Sequence, residues 1–231
     1  MSDDLKFKTF KKLVRVSMED MCREYFLGNR ENIRIKKEGV AVKNLVKIFN
    51  AALTISNAKG FSAMSLRELS AEAGLSMGAL YTYFTSKDEL LDMIQRQGWM
   101  IAMRVLLDQI TEIEDLRLKL KRAIHAHLYL SEVMQPWFYF SYMETKNLAK
   151  EERRNAIEAE LFTERIFVEI LTQGQEKGVF RAVDVELAGA VLKAMLQEWY
   201  LKRWKYASRG INVEKYADFL IDLVESYVLP R

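Results

Sequence analysis

The stretch SLRELSAEAGLSMGALYTYFTSK, from Ser65 to Lys87, leaves the backbone few choices. Ser65 stands three residues before Glu68, the spacing at which a hydroxyl caps the N3 amide while the carboxylate reaches back to the cap's own N–H. A helix is predicted to begin at Leu66, with Leu66, Leu69 and Ala73 on one face and Gly74 free to take the positive φ of a helix end. Ser76 offers a second cap, and Leu80 and Phe84, four residues apart, give a second short helix its buried side. Two short helices joined by a glycine turn describe a helix-turn-helix, whose second helix is small enough to enter a DNA major groove.

The outward positions of that second helix are Met77, Gly78, Ala79, Tyr81, Thr82 and Tyr83, and none carries a net charge. Such a surface suits close approach to base edges, where Gly and Ala permit contact and Tyr or Thr reach a thymine methyl or a phosphate. Lys87 follows at the start of the next helix, where Ser86 and Glu89 form a second Ser-x-x-Glu box. Any helical hairpin has caps and a glycine turn, so spacing alone leaves a DNA reader and an ordinary scaffold side by side.

The run Phe61 to Leu91, with LRELSAEAGLSMGALYTYF followed by SKDELL, resembles the TetR family of bacterial transcriptional regulators. The likeness covers roughly residues 42 to 91 and rests on the capped helix, the Ala-Gly turn, the LYxYF end of the recognition helix and the Lys one turn later. It implies that Ser65 and Tyr83 hold phosphates, that Lys87 pairs with another, and that Arg67, Met77, Gly78, Ala79, Tyr81 and Thr82 face the groove. With the cap Ser76 these ten residues are the candidate DNA-binding set. Tyr83 stands where many members have His, and Met77 and Gly78 are less typical choices, so base preference does not transfer.

Half of the 231 residues are apolar, enough for a sizeable core, and only two prolines and ten glycines interrupt long stretches of 3.6-residue apolar period. The expected fold is all-α: an N-terminal helix-turn-helix DNA-binding domain and a C-terminal helical domain for ligand binding and dimerisation. The expected boundaries are an extension over residues 1–40, the DNA-binding domain over 41–87 and the effector and dimerisation domain over 88–231. The single cysteine, Cys22, excludes an intrachain disulfide framework. No apolar run is long enough for a membrane span and the N-terminus lacks a signal-peptide core, so a cytoplasmic location is expected. The net charge of +3 does not by itself argue for nucleic acid.

In the extension, Phe10, Leu13, Val14, Met18 and Met21 recur at helical spacing, predicting one amphipathic helix from about Leu5 to Phe26. The segment after it carries Arg30, Arg34, Lys36, Lys37 and Lys43 against Glu31 and Glu38, and reads either as a basic arm along DNA or as a solvated connector. Val42, Leu45, Val46, Phe49, Ala52 and Leu53 make the stripe of a scaffold helix ending at Gly60. A helix from Lys87 towards Leu106 follows, weakened at Gly98, which marks either a bend or close packing. Further helices are expected at Leu116–Met134, Trp137–Leu148, Glu151–Lys177, Val185–Tyr206 and Val213–Tyr227.

Catalytic signals are missing from the sequence. Neither His125 nor His127 has Glu three residues before it, the two point to different sides of a helix, and no phosphate-cradling loop or nucleophile elbow is present. No enzyme, metal or cofactor is expected. The concentration of aromatic and methionine side chains is more informative, and most of it must be core. The resemblance implies that this half holds an effector whose binding releases DNA. An apolar or aromatic small molecule, or an acyl thioester, is the expected ligand class. Its candidate contacts are Trp99, Met103, His125, Trp137, Phe138, Tyr139, Tyr142, Met143, Phe162 and Trp199, with His125, Tyr139, Tyr142 and Glu144 to orient it.

Stripes on the last two helices, Ala188 to Trp199 and Tyr216 to Tyr227, predict a homodimer through a four-helix bundle. Paired recognition helices roughly 34–36 Å apart would then read a near-palindromic operator on double-stranded DNA. The expected function is a ligand-responsive transcriptional repressor. The alternatives are a constitutive DNA-binding protein without effector and an α-helical enzyme.

Overall fold

The computed structural model describes residues 5–14, 16–31 and 33–230, so the parts of the N-terminal expectations at residues 1–4, 15 and 32 lie outside the described residues. The described residues form helices and turns with no strand: twelve α-helices and one short 3-10 turn. They fall into two compact units, each assembled from separated pieces of chain.

One unit comprises Val16–Ile101 and Pro136–Ile157 and carries the helix-turn-helix; it is the head. Its scaffold is α3 (Glu38–Lys59), where the apolar stripe is buried at Val42, Leu45, Phe49, Ala52 and Leu53. Against α3 packs α2 (Met18–Gly28), with Met21, Cys22 and Phe26 inside and Tyr25 meeting the Phe49 ring at 6.1 Å. The single N-terminal helix expected from apolar spacing is in fact two, α1 (Phe7–Val14) and α2. Ser17 accepts from the Asp20 amide while Asp20 returns a carboxylate to Ser17 N–H, so a new helix starts there. That signal is in the sequence, three residues apart, beneath an uninterrupted apolar period.

The other unit takes α1, Ala102–Gln135 and the chain from Glu158 onward. Its centre is α7 (Leu116–Val133), buried continuously from Ala123 to Ser131, as befits a helix with neighbours on all sides. Around it lie α1, α10 (Val185–Leu201) and α12 (Val213–Val228). Phe7 and Phe10 of α1 set their rings edge-on to Tyr129 at 5.3 and 5.6 Å, and Phe7 N–H donates to Glu214 Oε1 at 3.0 Å. The expected helix over Val185–Tyr206 breaks at Lys202, whose ψ of 35 is non-helical, and resumes as α11 (Arg203–Ser208). After the break Arg203 sets its Nε 2.8 Å from Glu132 Oε2 on α7.

The chain passes from one unit to the other within α6 (Lys87–Ile110) and α9 (Lys150–Glu176), and at the first residue of α8 (Gln135–Glu144). The aromatic helix α8 ends earlier than expected, in a 3-10 turn over Thr145–Asn147. From Pro136 on it belongs to the head. Asn57 Nδ2 donates to Pro136 O at 2.8 Å, and Trp137 Nε1 to Ile94 O at 2.8 Å.

Candidate nucleic-acid interface

The head builds its reading edge from two capped turns of helix, α4 (Leu66–Ala73) and α5 (Met77–Leu80). Ser65 Oγ accepts from Glu68 N at 3.2 Å, and Lys59 Nζ holds the Glu68 carboxylate at 2.7 Å, keeping it well ionised. Gly74 ends α4 with φ 61 and ψ 39, the left-handed geometry that a Cβ disfavours. Ser76 Oγ then accepts from Ala79 N at 3.2 Å and starts α5. Hydrogen-bonded turns carry the chain on from α5, with Thr82 N bonded to Ala79 O and Tyr83 N to Leu80 O.

Leu80 and Phe84 are buried as their spacing requires, while Gly78 is exposed and Tyr81 stands 44% open to solvent. Ser65, Arg67 and Ser76 are exposed; Met77, Ala79, Thr82 and Lys87 are half-buried. All ten candidate residues therefore fall in one compact unit. Tyr83 departs from the role implied by resemblance. Three residues after Leu80, it shares that residue's inward face; only 4% of it is exposed, and its hydroxyl accepts from Asn44 Nδ2 at 2.9 Å. Burial raises the phenol pKa, partly offset by that hydrogen bond. Asn44, passed over when the apolar stripe of α3 was read, thus holds the Tyr83 hydroxyl.

Lys87 is held within the head. Its Nζ donates to Ser62 O at 2.8 Å and lies 5.1 Å from the centre of the Phe61 ring, and partial burial lowers its pKa. The segment after α2 is anchored beside the reading edge: Ile33 is buried and Arg34 N–H reaches Thr82 O at 3.4 Å. Lys36 folds back onto Arg30 O and Ile33 O at 2.9 and 3.0 Å.

The effector candidates divide between units. Trp99, Trp137, Phe138, Tyr139, Tyr142 and Met143 belong to the head, and Met103, His125, Phe162 and Trp199 to the other unit. Several already have internal partners. Besides Trp137, fully buried Trp199 donates from Nε1 to Glu132 Oε2 at 3.1 Å. Glu144 accepts from Phe61 N–H at 2.9 Å. His125 is buried with its ring 5.2 Å from that of Tyr129.

A further polar pair escaped sequence reasoning. Lys193 on α10 is buried with its Nζ 3.2 Å from His127 Nε2. Its helix face also carries Glu186 and Gln197, so spacing gave no signal that Lys193 is buried. Burial pushes the lysine down to about 8 and the histidine well below its usual value. Among the described residues no group of three or more His, Cys, Asp and Glu is placed to hold a metal, and no helix is long and apolar enough to cross a membrane.

These features define an all-α protein with a capped helix-turn-helix head and a second helical unit. Residues 48–94 match the bacterial regulatory proteins of the tetR family, and residues 114–227 match the tetracyclin repressor-like C-terminal domain. The crystal structure of PfmR from Thermus thermophilus, a TetR family transcriptional regulator, is 32% identical, with a TM-score of 0.69 over 77% of this chain and 96% of that one. The transcriptional regulator HbdR of Aromatoleum sp. (strain CIB) is 22% identical over 80% of this chain and 81% of its own. The regulator FadR of Bacillus subtilis, solved in complex with stearoyl-CoA, is 20% identical with a TM-score of 0.61, over 77% of this chain and 96% of that chain, and shares the fold. The chain belongs to the TetR family of DNA-binding transcriptional regulators, and is a regulator rather than an enzyme.

Proposed function

We propose that the protein is a homodimeric repressor that occupies a near-palindromic duplex site and leaves it when a small molecule binds. The observation that carries the reading is the uncharged, exposed edge at Gly78 and Tyr81, on a helix capped by Ser76 and backed by buried Leu80 and Phe84. The proposed groove contacts are Arg67, Met77, Gly78, Ala79, Tyr81 and Thr82. Ser65 and Lys87 take phosphates, Lys87 by leaving Ser62 O, and Tyr83 supports the edge from within. A cytoplasmic location goes with this role.

The proposed dimer uses α10 and α12. Leu187 and Val191 on the first, and Phe219, Leu223 and Tyr227 on the second, are 44–66% exposed and fall at i, i+4 spacing. Both helices line an open groove of about 490 Å³. Apolar stripes of this size left in water mark a surface that a partner covers.

The proposed effector is an apolar or aromatic molecule or an acyl thioester, a class supported by the stearoyl-CoA bound to the fold relative FadR. Its contacts are proposed among the ten aromatic, methionine and histidine positions given above. The test is selection of DNA fragments bound by the full chain, followed by thermal-shift and release assays with fatty acyl-CoA and aromatic acids. The reading expects one compound both to stabilise the protein and to weaken DNA binding. Fragments retained with no sequence preference count against the regulator role.

A further inference from the structure

Helix α8 lies within the stretch matching the C-terminal family domain, yet from Pro136 on it is part of the compact unit of the head. It is attached there by polar contacts. Beyond those of Pro136 and Trp137, Gln95 Nε2 donates to Ser141 O at 3.2 Å and Ser141 Oγ to Gln95 Oε1 at 2.5 Å. The most telling contact is at its last residue. Glu144 is 4% exposed, and its Oε1 accepts the main-chain N–H of Phe61 at 2.9 Å, while Asn147 Nδ2 donates to Oε2.

Phe61 sits in the turn between α3 and α4, directly after Gly60, which ends α3 with φ 89. Phe61 N–H has no place in either helix, and its side chain is buried edge-on to Phe140 of α8 at 5.9 Å. A buried amide N–H needs an acceptor. Here the acceptor comes from 83 residues away in sequence, and it is a carboxylate. The next residue, Ser62, gives its carbonyl to Lys87, and Ser65 caps α4 three residues further on. One short turn thus joins α8 to two residues proposed to take phosphates.

We propose that Glu144 is a positioning residue for DNA recognition, its carboxylate fixing the Phe61 turn so that α4 and α5 are held ready for the groove. The inference rests on the DNA-binding reading and adds to it a point at which α8 governs the head. Displacing α8 withdraws the acceptor from Phe61 N–H and releases the turn. The required property is reach, and negative charge is secondary; the charge also lies close enough to Lys87 to favour its protonated form.

Three variants separate reach from charge, each measured against a DNA fragment selected by the wild-type full chain. Glu144→Gln keeps an acceptor at the same length and should bind within about threefold of wild type. Glu144→Asp keeps the charge but is one methylene too short, and should bind roughly tenfold more weakly, as should Glu144→Ala. The salt dependence of binding should be the same in all, because no phosphate contact is lost. Amide hydrogen exchange at Phe61 should quicken in the Asp and Ala variants and stay slow in the Gln variant. Equal binding by Glu144→Asp and wild type, or a Glu144→Gln loss as large as that of Glu144→Ala, overturns the inference. If the wild type selects no DNA, the DNA-binding reading fails instead, and the exchange measurement still reports whether Glu144 holds the turn.

Discussion

The indole of Trp137 occupies the space that a side chain at Gly98 would need: a Cβ built there falls 2.0 Å from Cε2 and 2.1 Å from Nε1. The glycine in the middle of α6 therefore serves close packing. Trp137 cannot step aside cheaply, being buried and bonded to Ile94 O. Gly98→Ala should destabilise the protein by about 1–3 kcal/mol despite alanine's better helix propensity. Urea unfolding followed by tryptophan fluorescence measures it, and an unchanged or higher midpoint contradicts the packing.

Outside the family match, Phe10 of α1 is fully buried whereas Leu13 is 62% exposed. Phe10→Ala should cost about 3–5 kcal/mol, and Leu13→Ala should stay within about 0.5 kcal/mol of wild type. Equal effects in thermal or urea unfolding would mean that α1 does not pack as described.

The buried Lys193–His127 pair makes stability depend on pH in one direction. The lysine has about 8 in the fold against an ordinary 10.5, and the histidine lies well below 6.5. Both bind fewer protons folded than unfolded, so stability rises with pH through each window. It should fall on acidification below about 6.5 and, for the lysine, rise between about 8 and 10.5. Lys193→Met should be more stable than wild type near neutrality, with the difference narrowing towards alkaline pH. Melting temperatures across the range decide it, and a difference that widens with pH refutes the burial of a charged lysine.

Tyr83 and Lys87 should separate in a salt titration of DNA binding. Tyr83→Phe removes a hydroxyl that meets Asn44 inside the head, and should leave the slope of log K against log salt unchanged. Lys87→Ala should reduce the magnitude of that slope by about one. A Tyr83→Phe loss of affinity with stability unchanged would restore the phosphate role for the tyrosine.

Replacing Phe219 and Leu223 together by Glu puts charge on the exposed stripe of α12 without entering the core of the subunit. Sedimentation should show wild-type dimer and variant monomer at micromolar concentration, with specific DNA binding lost alongside. A wild-type monomer at that concentration removes the proposed dimer.

Much of the head was legible because its signals are local. Ser65 with Glu68, Gly74 and Ser76 act through hydrogen bonds spanning three or four residues, so the turn can be read without knowing what packs on it. The same rule would have divided the N-terminal helix at Ser17. Periodicity hid the division, because an apolar stripe continues across two helices when both bury that side.

The chain's own pattern determined an all-α fold and the place of the helix-turn-helix, since caps and a 3.6-residue period are properties of neighbours along the backbone. Only tertiary structure decided that Tyr83 turns inward to Asn44, that the aromatic α8 joins the head, and that Lys193 is buried against His127. Those outcomes depend on which distant side chain supplies a missing partner or fills a particular volume. Spacing along a single sequence carries no record of either.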